Sequence, residues 1–251
     1  MYYFDVKKTT QDVISWVREL FEKTASPETK AVIGISGGKD SSVAAAVCTA
    51  ALGKDRVIGV LMPQGVQSDI DCARQLVEHL GIKSYEINVG EAVDAVKKTV
   101  SGALGELIDQ SRINIPPRVR MTVLYAVGAC MNGRVCNTCN ASEDYVGYST
   151  KYGDAAGDFS PLSDLTVEEV IAIGDELGLP RNLTHKVPSD GLCGKTDEDN
   201  LGFTYALLDS YLRGETDLSD KPEIKENIER RHRANLHKLR LMPKFEFDPN
   251  K

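Results

Sequence analysis

Two patterns of hydrophobic residues alternate along the N-terminal part of the chain. Helical spacing predicts an amphipathic helix over residues 9–25, with its apolar face at Val13, Ile14, Val17, Leu20 and Phe21. Short apolar runs at residues 31–33, 56–62 and 85–89 predict buried strands. Predicted helices separate these runs: one includes residues 43–48, one extends from Ser68 to about Leu80, and one covers residues 91–100.

The second half of the chain continues this alternation and ends in helices. Pro116-Pro117 is predicted to open a long helix to about Met131, because proline is accepted in a first turn. Residues 134–137 predict a fourth strand, and residues 138–157 a loop that contains a short helix. Three more helices are predicted, at residues 166–177, 197–212 and 222–240, and a mobile loop able to order over a ligand is predicted at residues 185–196.

Strands that alternate with helices predict a parallel sheet with right-handed crossovers. We therefore expect a Rossmann-like, doubly wound α/β fold with helices on both faces of the sheet and a C-terminal helical segment. The length of 251 residues suits a single domain over residues 1–251. In such a sheet, ligands bind at the carboxyl ends of the strands, so the residues that follow each strand are the first candidates for a site.

Composition and charge narrow the classes of function. The net charge of −7 argues against broad binding to nucleic acids or anionic membranes. No apolar run approaches the length of a membrane span, and the N-terminus lacks the basic-then-apolar pattern of a signal peptide. The six cysteines are unevenly spaced, so reduced thiols in a cytoplasmic protein are expected.

A glycine-rich turn joins the first predicted strand to the helix that follows it. Its sequence is Gly34-Ile35-Ser36-Gly37-Gly38-Lys39-Asp40-Ser41-Ser42. Such a turn directs backbone N–H groups and the positive end of a helix dipole at one point, which suits a phosphate. Glycines let the backbone approach the ligand closely, and the serine hydroxyls can donate to phosphate oxygens. This stretch is therefore the leading candidate for a nucleotide site.

Asp40 distinguishes this turn from a simple anion site. A carboxylate beside phosphates repels them unless a cation such as Mg²⁺ lies between. The turn also differs from the Walker pattern, in which Ser or Thr follows the lysine, because Asp40 follows Lys39 here. It resembles the PP-loop, Ser-Gly-Gly-x-Asp-Ser, of enzymes that cleave ATP between the α- and β-phosphates and adenylylate a substrate.

Further motifs extend the resemblance over nearly the whole chain. They are Arg118-Val119-Arg120-Met121, Asn137 to Glu143, Thr150 to Asp154, Asp158 to Leu162, Asp197-Glu198 with Leu201-Gly202 and Tyr205, Tyr211 to Gly214, and His237-Lys238 before Met242-Pro243. With the PP-loop, this set resembles the ammonia-dependent NAD synthetases. Several dispersed motifs in the right order are far more specific than the PP-loop alone.

The resemblance implies a two-step reaction with ATP, deamido-NAD and ammonia as substrates and Mg²⁺ as cofactor. The nicotinate carboxylate of deamido-NAD attacks the α-phosphorus of ATP, and pyrophosphate leaves. Ammonia then displaces AMP from the adenylylated intermediate and gives NAD. The resemblance also implies a homodimer, with the substrate dinucleotide near the subunit interface.

Site residues follow from the resemblance, position by position. The ATP-binding set is Gly34, Ile35, Ser36, Gly37, Gly38, Lys39, Asp40, Ser41, Thr138 and Ser189, of which Ser36, Lys39 and Asp40 are the catalytic candidates. Asp40 and Glu143 match the Mg²⁺ ligands. The deamido-NAD contacts match Arg118, Lys151, Asp158, His237 and Lys238. Without the motifs, each of these would be taken for an ordinary surface, loop or capping residue.

The chain departs from the family pattern at three places. Val167 stands where family members often carry a lysine that contacts ATP, so Lys186 or Lys195 would have to serve, or that contact is absent. The usual Pro-Thr-Ala-Asp is here Pro188-Ser189-Asp190-Gly191, which keeps a hydroxyl at Ser189. The usual Gly-Thr-Asp-His is here Asn137-Thr138-Cys139-Asn140, which removes an acid and an imidazole.

Three other functions compete with this assignment, and the cysteine-dependent one is the main alternative. Cys130, Cys136 and Cys139 have the spacing C-x5-C-x2-C, and some PP-loop enzymes that modify tRNA or deazaguanine bind iron–sulfur clusters or zinc through cysteines. A glutamine-dependent enzyme would need a further glutaminase domain, for which 251 residues leave no room. A regulatory nucleotide-binding protein of the universal-stress type would have no need of the carboxylate pair Asp40 and Glu143.

Overall fold

A parallel sheet of four strands organises the part of the chain that is described. The structure is a computed structural model that describes residues 2–66, 70–185 and 197–248. The strands are β1 (Lys30–Gly34), β2 (Val57–Leu61), β3 (Lys83–Glu86) and β4 (Gly133–Cys136), in the order β3-β2-β1-β4. The predicted α/β fold with a parallel sheet is confirmed.

Strand β1 lies at the point where the strand order reverses. Ala31 faces Val57 of β2 on one side and Arg134 of β4 on the other. The connections from β1 lead first towards β2 and β3, and the chain then returns to place β4 beside β1. In open α/β sheets a ligand binds in the crevice outside the strand ends at such a reversal. The glycine-rich turn after β1 and the loop after β4 both lie there.

Helices account for most of the remaining described residues. They are α1 (Val6–Thr24), α2 (Lys39–Leu52), α3 (Ile70–Leu80), α4 (Gly90–Leu104), α5 (Asp109–Cys130), α6 (Ala141–Val146), α7 (Val167–Glu176), α8 (Arg181–Thr184), α9 (Asp197–Leu201), α10 (Tyr205–Leu212) and α11 (Pro222–Leu239). None of the described helices is both long enough and apolar enough to span a bilayer.

Successive side chains of β1 point to opposite faces of the sheet, and each face packs against its own hydrophobic core. Ala31 and Ile33 belong to the larger core, which includes residues of α1, α2 and α7. Val32 points to the other face and packs in a cluster with Leu124 of α5. Full burial of a valine or isoleucine side chain contributes about 1.5–3 kcal/mol, so the register of this strand is firmly set. The turn that follows β1 therefore has a rigid base.

A third cluster joins the C-terminal helices to the loop after β4. Val146 of α6, Leu208 of α10 and Ile228 of α11 are buried together there. This cluster fixes α6 in place, and α6 begins at the end of the segment that follows β4. The C-terminal helical segment thus holds one wall of the crevice at the strand ends.

Three predicted element boundaries are clearly wrong, and the first two concern β3 and the helix over residues 197–212. Strand β3 covers Lys83–Glu86 instead of residues 85–89, because the Asn88 side chain bonds the backbone of Gly65 and Gly90 and turns the chain into α4. The single helix predicted over residues 197–212 is two helices. Gly202 has a φ of 81°, and Thr204 caps α10 by accepting from the Leu207 N–H group.

Helix α5 begins at Asp109 and not at the proline pair. Pro116 and Pro117 lie inside it, although each lacks the N–H group that an interior turn requires. Tertiary contacts hold the preceding turns, because Thr150 donates a hydrogen bond of 3.1 Å from its hydroxyl to Asn114 and Pro116 is buried. The predicted N-cap Ser68 and the predicted loop at residues 185–196 fall in or against gaps between the described ranges.

Candidate active site

The turn between β1 and α2 comes close to α3. Gly37 has a φ of 79°, in the left-handed region that favours glycine. A Cβ atom on Gly37 would lie 2.8 Å from the backbone nitrogen of Ala73 and 2.8 Å from Cβ of Cys72. Both the backbone conformation and the packing against α3 therefore require glycine at this position.

The serine hydroxyls brace the turn around Gly38, which is the N-cap of α2. Ser42 donates a hydrogen bond of 2.7 Å to the Gly38 carbonyl, and Ser41 donates one of 3.2 Å to the same oxygen. The Ser36 hydroxyl accepts from the Gly38 N–H group at 3.2 Å. Glycine brings no capping side chain, so the first N–H groups of α2 keep their capacity to bind an anion.

Lys39, Asp40 and Glu143 form the charged centre of the crevice. The Lys39 side chain is only 4% exposed, and its Nζ lies 2.8 Å from Asp40 Oδ2 and 3.9 Å from Glu143 Oε1. The same ammonium lies 5.7 Å from the centre of the Tyr205 ring. The structure therefore brings Asp40 from the turn after β1 together with Glu143 from α6, as the sequence predicted.

Asn140 connects the two carboxylate-bearing segments. Its Nδ2 donates a hydrogen bond of 2.9 Å to Asp40 Oδ1. Its Oδ1 accepts one of 3.0 Å from the Glu143 N–H group and so caps α6. The side chain is fully buried. Asn140 was noted only as a departure from the family pattern, and no sequence signal indicated this bridging position.

Burial and mutual repulsion set the ionisation of the centre. Burial raises the pKa of Glu143 well above its usual value, and the neighbouring Asp40 raises it further, against the opposing effect of Lys39. Burial by itself lowers the pKa of Lys39, but Asp40 and Glu143 outweigh it and hold that pKa above its usual value. The single positive charge of the Lys39 ammonium therefore compensates the negative charges of the two carboxylates only in part.

Asp197 and Tyr205 also belong to this centre. Both are buried, and the Asp197 carboxylate acts electrostatically on Lys39 and on Glu143. Burial raises the pKa of Tyr205, and the surrounding carboxylates raise it further. The Tyr205 hydroxyl has no hydrogen-bond partner within the described ranges. Both residues lie in the Asp-Glu…Leu-Gly…Tyr motif, so the signal was present although no role was assigned to them.

Three of the predicted deamido-NAD contacts meet in a second cluster. The Arg118 Nε donates a hydrogen bond of 3.2 Å to the Lys151 carbonyl. The Lys151 ammonium in turn donates one of 2.5 Å to the His237 carbonyl. These residues come from α5, from the loop after α6 and from the end of α11. They form a basic surface, which suits a ligand that carries phosphates.

The side chains of Lys238 and Asp158 form hydrogen bonds with other groups of the protein. The Lys238 ammonium donates to the carbonyls of Gly147 and Ser149 at 2.7 and 2.8 Å and ties α11 to the loop after α6. Asp158 Oδ2 accepts from the Val135 N–H group at 2.7 Å, and Oδ1 accepts from the Tyr125 hydroxyl at 3.3 Å. Both side chains shape the crevice, and their contacts with substrate stay predictions.

The remaining predicted positions concern contacts with ATP. Thr138 is partly exposed and follows the end of β4, beside the buried Cys139. Ser189, together with Lys186 and Lys195, lies outside the described residues. Val167 is buried in the C-terminal apolar cluster, and its N–H group donates to the Ser142 hydroxyl. The valine side chain therefore faces other hydrophobic residues.

The cysteines do not assemble into a metal site within the described ranges. Cys130 is exposed, whereas Cys136 and Cys139 are buried, and burial raises the pKa of both buried thiols. Cys139 donates to the Asp154 carbonyl at 3.3 Å. Among these residues no group of three His, Cys, Asp or Glu side chains is arranged to hold a metal ion. The cysteine-dependent alternative is not favoured.

Comparison with known proteins agrees with this geometry. The family model described as NAD synthase matches residues 9–247. An NH3-dependent NAD+ synthetase of Pyrococcus furiosus is 39% identical over 222 residues, which cover 84% of this chain and 85% of that protein. A solved NMN synthetase of Francisella tularensis has a TM-score of 0.87 at 33% identity, over 98% of this chain and 100% of that one. An NH3-dependent NAD synthetase of Campylobacter jejuni has a TM-score of 0.80 at 27% identity, over 97% and 100%.

Proposed function

This chain belongs to the NAD synthase family, and we propose that it amidates deamido-NAD with ammonia at the expense of ATP, giving NAD, AMP and pyrophosphate. A carboxylate is a poor acyl donor, so the nicotinate carboxylate must first acquire a better leaving group. Transfer of AMP from ATP supplies that group. The second step is the attack of ammonia on the adenylylated carboxylate, with AMP as the leaving group.

The observation that carries this proposal is the meeting of Asp40 and Glu143 around Lys39 at the N-terminus of α2. A helix N-terminus with a glycine-rich turn suits the phosphates of ATP. A protein that only binds a nucleotide gains nothing from two partly buried carboxylates beside those phosphates, because the negative charges repel each other. An enzyme that cleaves ATP uses them to place a cation against the charge that develops on the phosphates.

The donor set fits a magnesium ion. Asp40 and Glu143 would hold it, and when bound it would neutralise charge on the α-phosphate and on the departing pyrophosphate. The single ammonium of Lys39 lies beside both carboxylates, so their two negative charges leave room for a further cation. Within the described ranges there is no third ligand group. Two carboxylates, with waters and substrate phosphates as the other ligands, are typical of Mg²⁺ sites.

The roles of the other site residues follow from their positions. Gly38 and the first turn of α2 would bind ATP phosphates, with the hydroxyls of Ser36 and Ser41 beside them. The cluster of Arg118, Lys151 and His237 would bind the phosphates and the carboxylate of deamido-NAD. Thr138 and Ser189 would contact ATP.

Nicotinate mononucleotide is a second candidate substrate and has to be compared directly with deamido-NAD. The similarity to an NMN synthetase suggests that the amidation could take place on nicotinate mononucleotide. Both molecules present the same nicotinate carboxylate and ribose phosphate, and they differ in the adenylate half. We favour the dinucleotide, because the Pyrococcus and Campylobacter relatives are both named as NAD synthetases.

The proposal also covers the assembly of the protein and its location in the cell. We expect a homodimer, which the exposed apolar residues of α4 and α5 and of the segment between them support: Val96, Leu104, Ile108, Ile113 and Tyr125. We expect a cytoplasmic enzyme, since the cysteines in the described ranges are free thiols and ATP is a substrate. Neither nucleic acid nor membrane is expected as a partner, in keeping with the net charge of −7.

The test is to mix the protein with ATP, Mg²⁺, ammonium and deamido-NAD and to identify the products by chromatography. We expect NAD, AMP and pyrophosphate in equal amounts, no NAD when glutamine replaces ammonium, and slower turnover with nicotinate mononucleotide. Asp40→Asn should lower kcat by about 10²–10³-fold. ADP and phosphate as products would exclude cleavage between the α- and β-phosphates. Faster amidation of the mononucleotide would reassign the substrate.

A further inference from the structure

Both oxygens of the Asp40 carboxylate are engaged within the protein. Asn140 Nδ2 donates to Oδ1 at 2.9 Å, and the Lys39 ammonium lies 2.8 Å from Oδ2. The amide is neutral and lies on a side chain that also caps α6, so it is fixed. The ammonium carries the positive charge and lies on a long, flexible side chain. Of the two partners of Asp40, Lys39 is the one that can move.

Lys39 also forms an ion pair with Glu143, at a longer distance than with Asp40. Its Nζ lies 3.9 Å from Glu143 Oε1, which places one buried ammonium beside both carboxylates that would bind a divalent cation. Lys39 and a divalent cation would therefore compete for the same oxygens. Two cations held a few ångströms apart in a crevice of low dielectric repel each other strongly.

We propose that Lys39 is a resident counter-ion that a divalent cation must displace, and that the phosphates of ATP receive the displaced ammonium. Metal and ATP would then bind together: ATP draws Lys39 away from the carboxylates, and the carboxylates become available to the metal. This inference rests on the proposed function, in that Asp40 and Glu143 are taken to hold the metal.

The position of Lys39 makes the transfer short. Lys39 is the first residue of α2 and follows Gly38, the N-cap at which phosphates are expected. A rotation of the lysine side chain therefore carries the ammonium from the carboxylates to a phosphate without a change in the backbone. The braced hydroxyls of Ser41 and Ser42 hold that backbone in place. The ammonium remains paired throughout, as a buried charge requires.

A purely structural ion pair would behave differently. If Lys39 only stabilised the fold, its removal would leave two partly buried carboxylates without a counter-charge and lower stability, with no gain in metal binding. If Lys39 competes with the metal, its removal must strengthen binding of the metal by itself. The two interpretations therefore predict opposite changes in a binding measurement that involves no turnover.

The experiment measures binding of Mn²⁺, as a paramagnetic probe for Mg²⁺, by electron paramagnetic resonance. Wild type, Lys39→Met and the control Lys54→Met, which removes an exposed lysine, are titrated with and without α,β-methylene-ATP, which cannot be cleaved between the α- and β-phosphates. We expect Lys39→Met to bind Mn²⁺ alone about tenfold more tightly than wild type. The ATP analogue should tighten Mn²⁺ binding strongly in wild type and only weakly in Lys39→Met.

Thermal unfolding provides a second measurement of Mn²⁺ binding, which can be used even if Lys39→Met is poorly stable. Mn²⁺ should raise the melting temperature of Lys39→Met, and of the milder variant Lys39→Gln, by more than that of wild type. The proposal is overturned if Mn²⁺ binds and stabilises the lysine variants no better than wild type, or if the analogue tightens Mn²⁺ binding equally in all proteins. NAD formation by wild type is scored separately, so either result leaves the proposed function to stand or fall by itself.

Discussion

At the scale of single residues, the candidate site depends on side chains that do more than one task. Asn140 accepts a hydrogen bond that caps α6 and donates one to Asp40. Glu169 of α7 likewise completes a capping box with Thr166 and pairs with Arg213 at 2.7 Å. Each side chain therefore caps a helix through a local hydrogen bond and also contacts a residue that is distant in the chain, Asp40 or Arg213.

A pair of substitutions separates the two tasks of Asn140. Asn140→Ser keeps a good N-cap oxygen but loses the donor to Asp40, and Asn140→Ala loses both. We expect both variants to lose about 10–100-fold in kcat, since a hydrogen bond to a charged group contributes about 1.5–3 kcal/mol. Only Asn140→Ala should lose a further ~1 kcal/mol of stability from the missing cap. Steady-state kinetics and urea unfolding measure the two effects, and equal stabilities would contradict the capping role.

Glu169 makes the stability of the protein depend on pH. Burial by itself raises the pKa of Glu169, but donors from Arg213, Tyr2 and the Thr166 N–H group outweigh it and hold that pKa below the usual 4.5. The ionised carboxylate therefore stabilises the fold fully above pH 4.5, and this contribution is lost as the pH falls through the lowered value.

Glu169→Gln should accordingly reduce the free energy of unfolding at pH 7 by about 3 kcal/mol, because Arg213 loses its charged partner. The difference from wild type should shrink in acid below pH 4.5, as the pH falls through the lowered pKa of Glu169. Urea unfolding at pH 7 and in acid measures it. A difference that stays constant between the two would show that the charge of Glu169 is not what stabilises the fold.

At the scale of elements, the site is formed where β1, β4, α2 and α6 meet. The turn after β1 leads into α2, and the loop after β4 leads into α6, so two strand-to-helix connections face each other across the reversal in strand order. Helix α3 closes the crevice behind the glycine-rich turn, in contact with Gly37. The position of α3 was not evident from the motif, which specifies the turn but not its neighbours.

Gly37→Ala tests the contact between the turn and α3. The added Cβ would lie 2.8 Å from backbone and side-chain atoms of α3, at a φ of 79° that costs a non-glycine residue about 1–2 kcal/mol. We expect a lower melting temperature and a loss of ATP affinity by isothermal titration. Gly102→Ala is the control, because Gly102 lies inside α4 with open space around it and alanine favours a helix by about 0.5–1 kcal/mol. Similar effects of the two variants would refute this account.

At the scale of the whole molecule, α4, α5 and the segment between them carry several exposed apolar residues. Ile108, which precedes α5, is 71% exposed, and Ile113 lies further along the same segment. Large exposed apolar residues that lie near one another are typical of a surface that another protein covers. The homodimer proposed above, formed through α4 and α5, would cover them, and it agrees with the assembly that the resemblance implies.

Charge placed on this surface should dissociate the dimer. We expect Ile108→Glu combined with Ile113→Glu to convert the protein from dimer to monomer by sedimentation velocity, without loss of helical content by circular dichroism. Val66→Glu, at a fully exposed residue in a loop after β2, should leave the dimer intact. A dimer that persists in the double variant would place the interface elsewhere.

The sequence determined the elements and the chemistry that local rules control. The turn after β1 was evident because glycine, serine and a strand-to-helix boundary act over a few adjacent residues, and the parallel sheet followed from the alternation of patterns. The pairing of Asp40 with Glu143 was predicted from the resemblance, which matches both to Mg²⁺ ligands, and it is consistent with two strands whose carboxyl ends share one edge. The motif Asp197 to Tyr205 was noted, but its place in the charged centre was not.

Only the tertiary structure decided how these pieces combine. Helix α5 runs through Pro116 and Pro117 because contacts with Thr150 hold a backbone that propensity disfavours. Asn140 acquired its bridging position because folding brings Asp40, one hundred residues earlier, within 2.9 Å. The burial of Lys39 between two carboxylates is likewise a property of packing. Desolvation and through-space charge depend on neighbours distant in the chain, and a local pattern carries no record of them.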